Sequence, residues 1–484
     1  MGFHVVVTVA LAAILISTAD CGDDTDDGDY KSLYLTPYIQ AGQIDLARNL
    51  SRVKLFEDHI GAETHSGYIT IDKWKKSNLF FVHIRALKNP DAYPLLLWLQ
   101  GGPGLSSLFG EFLEIGPLGI DDEGHLFQRR SSLQRHVNVV YLDQPVGAGF
   151  SFTKSLLGYA NNLDDVASGV LNFLDQFIRM FPEYTNRTFY VGGESYGARF
   201  SVGVSHAIHT GKEPHVPLHL RGVILGAGFL GRLMKVADSS EFLYEMSLIT
   251  KKGRKSLAEN FANMRRKVRT LIGKLAALLR LRKTIFTSEK DPTLFQKLTG
   301  FNNQASALYS ERPLNMVQYE KYVQSDEFKR AMHIGKDVEF MKAEGKVSTN
   351  LKNDYLTDIS DEIEDLLQSY QVLFYTGQMD TLFPSRNLQE YFRSLNWTGA
   401  EEFRKAQPIH WKAYPTCRSV SGIVVRVRKM TDVVIFRAGH YTAVDEPEVA
   451  NRMMLNFIED NATAWEIYDD AGSRVNTPAK FPKG

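Results

Sequence analysis

The sequence predicts an α/β protein, with a mostly parallel central sheet interrupted by a helical insertion. Three observations carry this. Short apolar runs that end in turn residues, such as "YPLLLWLQ" and "VNVVYLDQP", read as buried parallel strands. Segments with helical apolar spacing alternate with them. The alternation stops at Phe229, gives way to charged helical sequence over residues 233–350, and resumes at "YQVLFYTGQMD".

Along the chain, residues 1–19 ("MGFHVVVTVALAAILISTA") are apolar and end in small residues, which predicts a signal peptide cleaved near Ala19-Asp20. No later run of that length is free of charge, so no integral membrane span is expected once the signal is removed. An acidic tract with six aspartates follows, and residues 20–45 are expected to form a solvated arm. Residues 46–232 form the first part of the α/β core. "HSGYITI" and "NLFFVHIRAL" predict antiparallel strands, and "LDDVASGVLNFLDQFIRMF" predicts a helix capped by Asn162 or Asp164. "RTFYVGG", "RFSVGVSHAIHTG" and "RGVILGAGF" continue as strand, helix and strand. Residues 233–350 form the helical insertion, 351–470 the second part of the core, and 471–484 a C-terminal tail.

The chain has 484 residues, 44% of them hydrophobic, enough for one to three domains with a large core. Formal net charge is zero, so nothing global argues for a nucleic-acid partner. Sequons at Asn49, Asn186, Asn396 and Asn461 agree with a secretory route and are the glycosylation candidates. Cys21 and Cys417 are the only cysteines. Cys21 lies so near the predicted cleavage point that a bridge between them is not expected.

The stretch "FYVGGESYGARF" leaves a strand through Gly193-Glu194-Ser195-Tyr196-Gly197. A sharp strand-to-helix turn needs small residues two positions before and after its apex, and it holds the apical serine exposed for attack. Alone, this spacing is as well explained by a Gly-rich loop. A nucleophilic serine also needs a base, and the base needs an acid to fix its tautomer. Asp380 follows the strand "QVLFYTG" and His440 follows "DVVIFRAG". Three strand-end positions in the order Ser, Asp, His match the arrangement of the α/β-hydrolase fold. The oxyanion donors expected from this order are the backbone N–H groups of Tyr196 and of Gly102, in "LWLQGGPGLSS".

These blocks together resemble the serine carboxypeptidase family, most closely its animal vitellogenic-type members. "WLQGGPGLSSLFGEFLEIGP", "YLDQPVGAGFSF", "GGESYGARF", "FYTGQMD" and "AGHYTAVDEP" match its signatures in order, over roughly residues 50–460. The resemblance implies release of single C-terminal residues from peptides at acidic pH, in a secreted or lysosomal setting, with no metal or cofactor. It also implies that Gln100, Glu114 and Glu194 bind the substrate's α-carboxylate, and it admits a homodimer. Two neighbouring carboxyls cannot both ionise cheaply, so a shared proton could donate to the substrate. Departures are the loss of most family cysteines, Leu105 standing at one such position, and Tyr441 and Ala443 where the family has Met and Pro. The resemblance implies that this altered block borders the leaving-residue pocket and bears on specificity. The alternatives are an acyltransferase or esterase using the same triad, or a catalytically weak homologue serving as a binding or storage protein.

Residues 251–283 hold twelve Lys or Arg and one acid, Glu259. Val268, Leu271, Ile272, Leu275, Leu278 and Leu279 have helical spacing within it. Such a segment could bind a membrane surface or an anionic partner. The expectation is a cap helix with a solvated basic face.

Overall fold

In the computed structural model of the chain, the structure describes residues 30–268, 270–341, 345–460, 465, 467–468 and 474–475. The predicted signal peptide, the aspartate tract with Cys21, Asn461 and most of the C-terminal tail lie outside the described residues. Among those that are described, no helix is long and apolar enough to cross a membrane.

A ten-stranded sheet organises the fold. Its strands are β1 (Thr64–Asp72), β2 (Ser77–Ile84), β3 (Leu95–Leu99), β6 (Asn138–Leu142), β7 (Thr188–Glu194), β8 (His219–Gly226), β9 (Gln371–Gly377), β10 (Ile409–Trp411), β11 (Gly422–Val427) and β12 (Met430–Ile435). The hairpin β4 (Leu118–Ile120) and β5 (Leu126–Gln128) stands apart. The order across the sheet is β1-β2-β6-β3-β7-β8-β9-β12-β11-β10. The six strands from β6 to β12 are mutually parallel, and antiparallel pairs flank them on both sides.

The parallel strands are apolar throughout because both faces of the sheet are covered. Successive side chains of β3 point to opposite faces. Leu95, Leu97 and Leu99 join one core, and Leu96 and Trp98 the other, all fully buried. On the first face lie α1 (Leu163–Met180) and α2 (Tyr196–His209). Asn162, not Asp164, caps α1: its Oδ1 accepts from the Asp165 N–H at 2.8 Å. Asp164 already lies inside the first turn and pairs with Lys212 instead.

The solvated arm is shorter than expected. Leu33 and Leu35 exchange backbone hydrogen bonds with Tyr68 of β1, and helices follow at Thr36–Gln40 and Ile44–Leu50. Leu35 is fully buried and Ile39 nearly so. Those apolar side chains draw residues 30–45 into the first core, whereas aspartates would have left them solvated.

Between β8 and β9 the described residues contain no strand of the sheet. The longest helices there are α3 (Lys251–Lys267) and α4 (Leu271–Ile285), which pack against each other. The later part of the insertion is not a detached layer. Tyr319, Phe328 and Met332 are buried in the second core, with the Phe328 ring 5.8 Å from that of Phe112 and 6.5 Å from that of Phe150.

Candidate active site

Ser195 sits at the apex between β7 and α2 with φ +60° and ψ −122°, a backbone conformation rare for a side chain other than glycine's. Two sets of bonds hold it there. The Ser195 N–H donates to the Gly226 carbonyl at 2.8 Å, and its own carbonyl accepts from Phe229 N–H at 3.0 Å. Gly193 and Gly197 are needed because a Cβ on either would fall on the carbonyl of Leu99, at the end of β3. The tight approach of β3 to the elbow thus explains the spacing read in the sequence.

Asp380 and His440 meet at the same edge of the sheet. Asp380 Oδ1 accepts from the N–H groups of Leu382 (2.7 Å) and Phe383 (2.9 Å), which leaves Oδ2 to face the Nδ1 of His440 at 2.8 Å. Both side chains are sealed from solvent. This network assigns the proton to Nδ1 and leaves Nε2 as the acceptor. Among the described residues no hydrogen bond joins Ser195 Oγ to Nε2; such contacts commonly tighten only with substrate. His440 is steadied by its N–H to the Ala305 carbonyl (2.7 Å), so the insertion reaches the site.

The loop after β3 lies against the elbow. A Cβ on Gly101 would stand 2.8 Å from the Tyr196 nitrogen. Among the described residues, neither the Tyr196 nor the Gly102 N–H donates to a backbone carbonyl. Tyr196 N also opens α2, where helix N–H groups lack partners and favour negative charge.

Gln100, Glu114 and Glu194 are buried together. Trp98 Nε1 donates to Gln100 Oε1 at 3.0 Å, which fixes the amide and leaves Nε2 without a partner. The carboxyls of Glu114 and Glu194 face each other, and Gln100 faces Glu114, closely enough to bear on their titration, but none of the four oxygens makes a hydrogen bond of ordinary geometry. Burial raises the pKa of Glu114. Burial, then the neighbouring charge of Glu114, holds Glu194 well above the usual carboxylate range. The two titrate as one unit that retains a proton. Glu114 reaches this place on the π-helix Gly110–Ile115, a wide turn that also buries Glu111.

Sequence reasoning missed several members of the site. Asp354, just past the insertion, accepts from Tyr196 Oη and from Arg199 Nε (2.7 Å), fixing the first turn of α2. Asp143, after β6, accepts from Ser106 Oγ (2.6 Å) and from the N–H groups of Ser107 and Phe150 (2.8 Å each), bracing the loop that carries Gly102. Burial raises it to about 7. Asp354's partners are more than 150 residues away, so no local pattern marks it, and although Asp143 lies in the quoted block "YLDQPVGAGFSF", its brace to Ser106 and Ser107 spans distant sequence. Beside His440, a space of only about 10 Å³ remains, lined by Ala305, Ser306, Tyr309, Met316 and Tyr441 among others.

Taken together, a strained serine, an imidazole oriented by a carboxylate, two unspent N–H groups and a protonated carboxyl pair can support acyl transfer from a substrate bearing a free carboxylate. Comparison with known proteins identifies the family. The serine carboxypeptidase family profile matches residues 55–460. A protein described as "Probable serine carboxypeptidase CPVL" from Pongo abelii is 33% identical over 439 residues, covering 90% of this chain and 91% of its own. Venom serine carboxypeptidase of Apis mellifera is 33% identical over 431 residues (88% and 90%), and vitellogenic carboxypeptidase of Aedes aegypti 32% over 484 residues (95% and 99%). Among solved structures, the prohormone-processing carboxypeptidase Kex1 of Saccharomyces cerevisiae matches with a TM-score of 0.69 at 19% identity, over 92% of this chain and 98% of that one. That likeness shows the α/β-hydrolase fold.

Proposed function

This chain belongs to the serine carboxypeptidase family, and from that premise we propose which of its residues perform the hydrolysis and how the carboxyl terminus is selected. The protein is a serine-type carboxypeptidase. In our reading Ser195 Oγ attacks the last peptide carbonyl while His440 Nε2 takes its proton. A C–O bond forms, and the carbonyl oxygen becomes an oxyanion held by the Gly102 and Tyr196 N–H groups. One such donor contributes typically about 2.7–4 kcal/mol to the transition state. Collapse breaks the C–N bond, and His440 returns the proton to the leaving amine. Water then enters by the reverse sequence and frees Ser195. Asp380 holds the imidazole tautomer and stabilises its cation.

The exopeptidase step rests on one observation: the buried Gln100, Glu114 and Glu194 carry unspent polar atoms beside the serine. A protonated carboxyl pair and an amide N–H₂ can each donate to a substrate carboxylate without placing a second full charge there. As pH rises the pair loses its proton and repels that carboxylate, which favours acidic working conditions.

The same reading extends to the rest of the chain. Residues 233–350 act as a cap that closes over His440, the protein works in the secretory pathway or the lysosome, and Asn49, Asn186 and Asn396 carry glycans. The exposure of those three asparagines supports the last point. The experiment compares an N-blocked dipeptide with its C-terminal amide, alongside a serine-reactive phosphonate probe. Labelling of Ser195 with strong preference for the free acid supports the proposal. Labelling without that preference points to an esterase or acyltransferase, and no labelling points to a binding protein.

A further inference from the structure

The basic segment folds as two helices, α3 and α4, and the outer face of α4 is not the solvated basic surface its composition predicts. Ala277, Leu281 and Ile285 face the core and are at most 3% exposed. Ile272, Leu275 and Leu279 lie on the opposite side, 86%, 52% and 57% exposed. Positions three and seven residues apart share one face of a helix, so these three side chains form a continuous apolar stripe in water.

Single exposed leucines need no explanation, but a stripe of them on one helix does. Its surroundings identify the occupant. Arg280 and Lys283 are exposed on the same helix, and Arg266 and Lys267 at the end of α3. Within residues 251–283 there is one acid against twelve cations. Lys251, Lys252, Lys255, Lys267, Lys274 and Lys283 form no ion pair among the described residues. An apolar ridge with exposed Lys283 one turn beyond Leu279 on the same face, and exposed Arg266 and Lys267 just before the helix begins, complements a surface whose outer layer is anionic and whose interior is hydrocarbon. A second copy of the chain would bring like charges together, and a purely acidic protein would leave the stripe without apolar contact.

We propose that the α3–α4 hairpin docks this enzyme on anionic phospholipid bilayers, with Ile272, Leu275 and Leu279 inserted at the headgroup–acyl boundary and the flanking lysines on the phosphates. Peripheral binding of this kind combines buried apolar area with attraction to anionic lipid, and each part alone is weak. The enzyme would then work at a membrane face while its chemistry remains that of a soluble peptidase.

The test is co-sedimentation of the full mature chain with vesicles of phosphatidylcholine alone or mixed with phosphatidylserine, at low and high salt. The expected result is partition onto the mixed vesicles, little onto phosphatidylcholine, and release by salt. Ile272→Ser with Leu279→Ser should lower the partition coefficient by roughly tenfold or more, and Lys267→Gln with Lys283→Gln should also lower it. Both variants should keep the wild-type melting temperature and cleavage of a soluble peptide, since the side chains changed are outside the core and the site. No binding to mixed vesicles overturns the proposal, as does equal binding to both lipids or a serine variant that binds like wild type. A concentration-dependent dimer dissolved by the serine substitutions overturns it in favour of a second copy.

Discussion

Arg199 Nε donates to Asp354 Oδ2 across 2.7 Å, with both side chains withdrawn from solvent. Arg199 stands in the first turn of α2, four residues after the nucleophile, and Asp354 four residues past the insertion. The pair, with Tyr196 Oη on the same carboxylate, ties the chain leaving the insertion to the elbow. Removing one partner leaves a buried charge alone, which typically costs about 3–5 kcal/mol. Asp354→Ala should therefore lower unfolding stability by that order in a urea titration, and Arg199→Met with Asp354→Leu should recover part of it. An alanine variant as stable as wild type would show that the pair is not what holds the junction.

If the carboxyl pair holds the substrate carboxylate as proposed, it sets a pH dependence on binding. Below its raised pKa the pair holds a proton it can donate; above it, the site is negative. KM for a free-acid peptide should rise with pH, and KM for the corresponding C-terminal amide should change much less. Glu194→Gln should flatten the rise, because an amide donates with no proton to lose. Identical pH profiles for the two substrates in the wild type would refute the shared proton.

Other buried acids link pH to stability. Burial raises Asp143 and Asp432 to about 7 and Asp445 to about 6, and holds Glu111 well above its ordinary value. An unfolded Asp titrates near about 3.9. Each such group therefore contributes stability that is complete below that value and lost as pH rises through its folded pKa. His83 opposes them: burial lowers it to about 3, so its contribution is present above the unfolded pKa and lost on acidification. His333, lowered by burial, acts in the same sense as His83, but the raised acids, Glu114 and Glu194 among them, outnumber the two histidines, and the melting temperature should be higher near pH ~5 than near pH ~8. Asp432→Asn, on β12 and outside the proposed machinery, should shrink the difference. A melting temperature that climbs steadily from the acidic to the alkaline value would contradict this.

Placing the leaving residue beside Tyr441 gives a prediction about specificity. Tyr441 stands 5.2 Å, ring to ring, from His440 and 4.9 Å from Phe109, and it borders the space of about 10 Å³ beside the imidazole. Peptides ending in Gly or Ala should be cleaved in preference to those ending in Phe or Leu. Tyr441→Met should raise kcat/KM for the bulky set by about tenfold relative to the small set, within the range a pocket of altered size can discriminate. A wild-type preference for C-terminal Phe, unchanged by the substitution, would rule out this role.

Much of this architecture is legible in the sequence, for physical reasons that can be named. β3, β7 and β9 are apolar without alternation because both their faces are covered, so their ends could be located, and the ends carry Gln100, Ser195 and Asp380. The elbow is legible because the approach of β3 leaves no room for side chains at Gly193 and Gly197. What escaped reading depends on contacts distant in sequence. Asp354 is 155 residues from Arg199. The ordered start of the chain rests on Leu35 meeting β1, and the apolar outer face of α4 depends on which side of the helix meets the core. Glu111 escaped because a π-helical turn changes which positions face inward.

The central claim is that Ser195 is the nucleophile of a carboxypeptidase reaction, and its most direct measurement is kcat/KM of Ser195→Ala on an N-blocked dipeptide. The variant should fold as wild type does, since the elbow needs only a small side chain there, and circular dichroism and melting temperature check this. Loss of the nucleophile in a serine–histidine–aspartate site typically lowers turnover by about 10⁶-fold, so release of the C-terminal residue should fall to near background. A folded alanine variant that retains a rate within about tenfold of wild type would contradict the assignment.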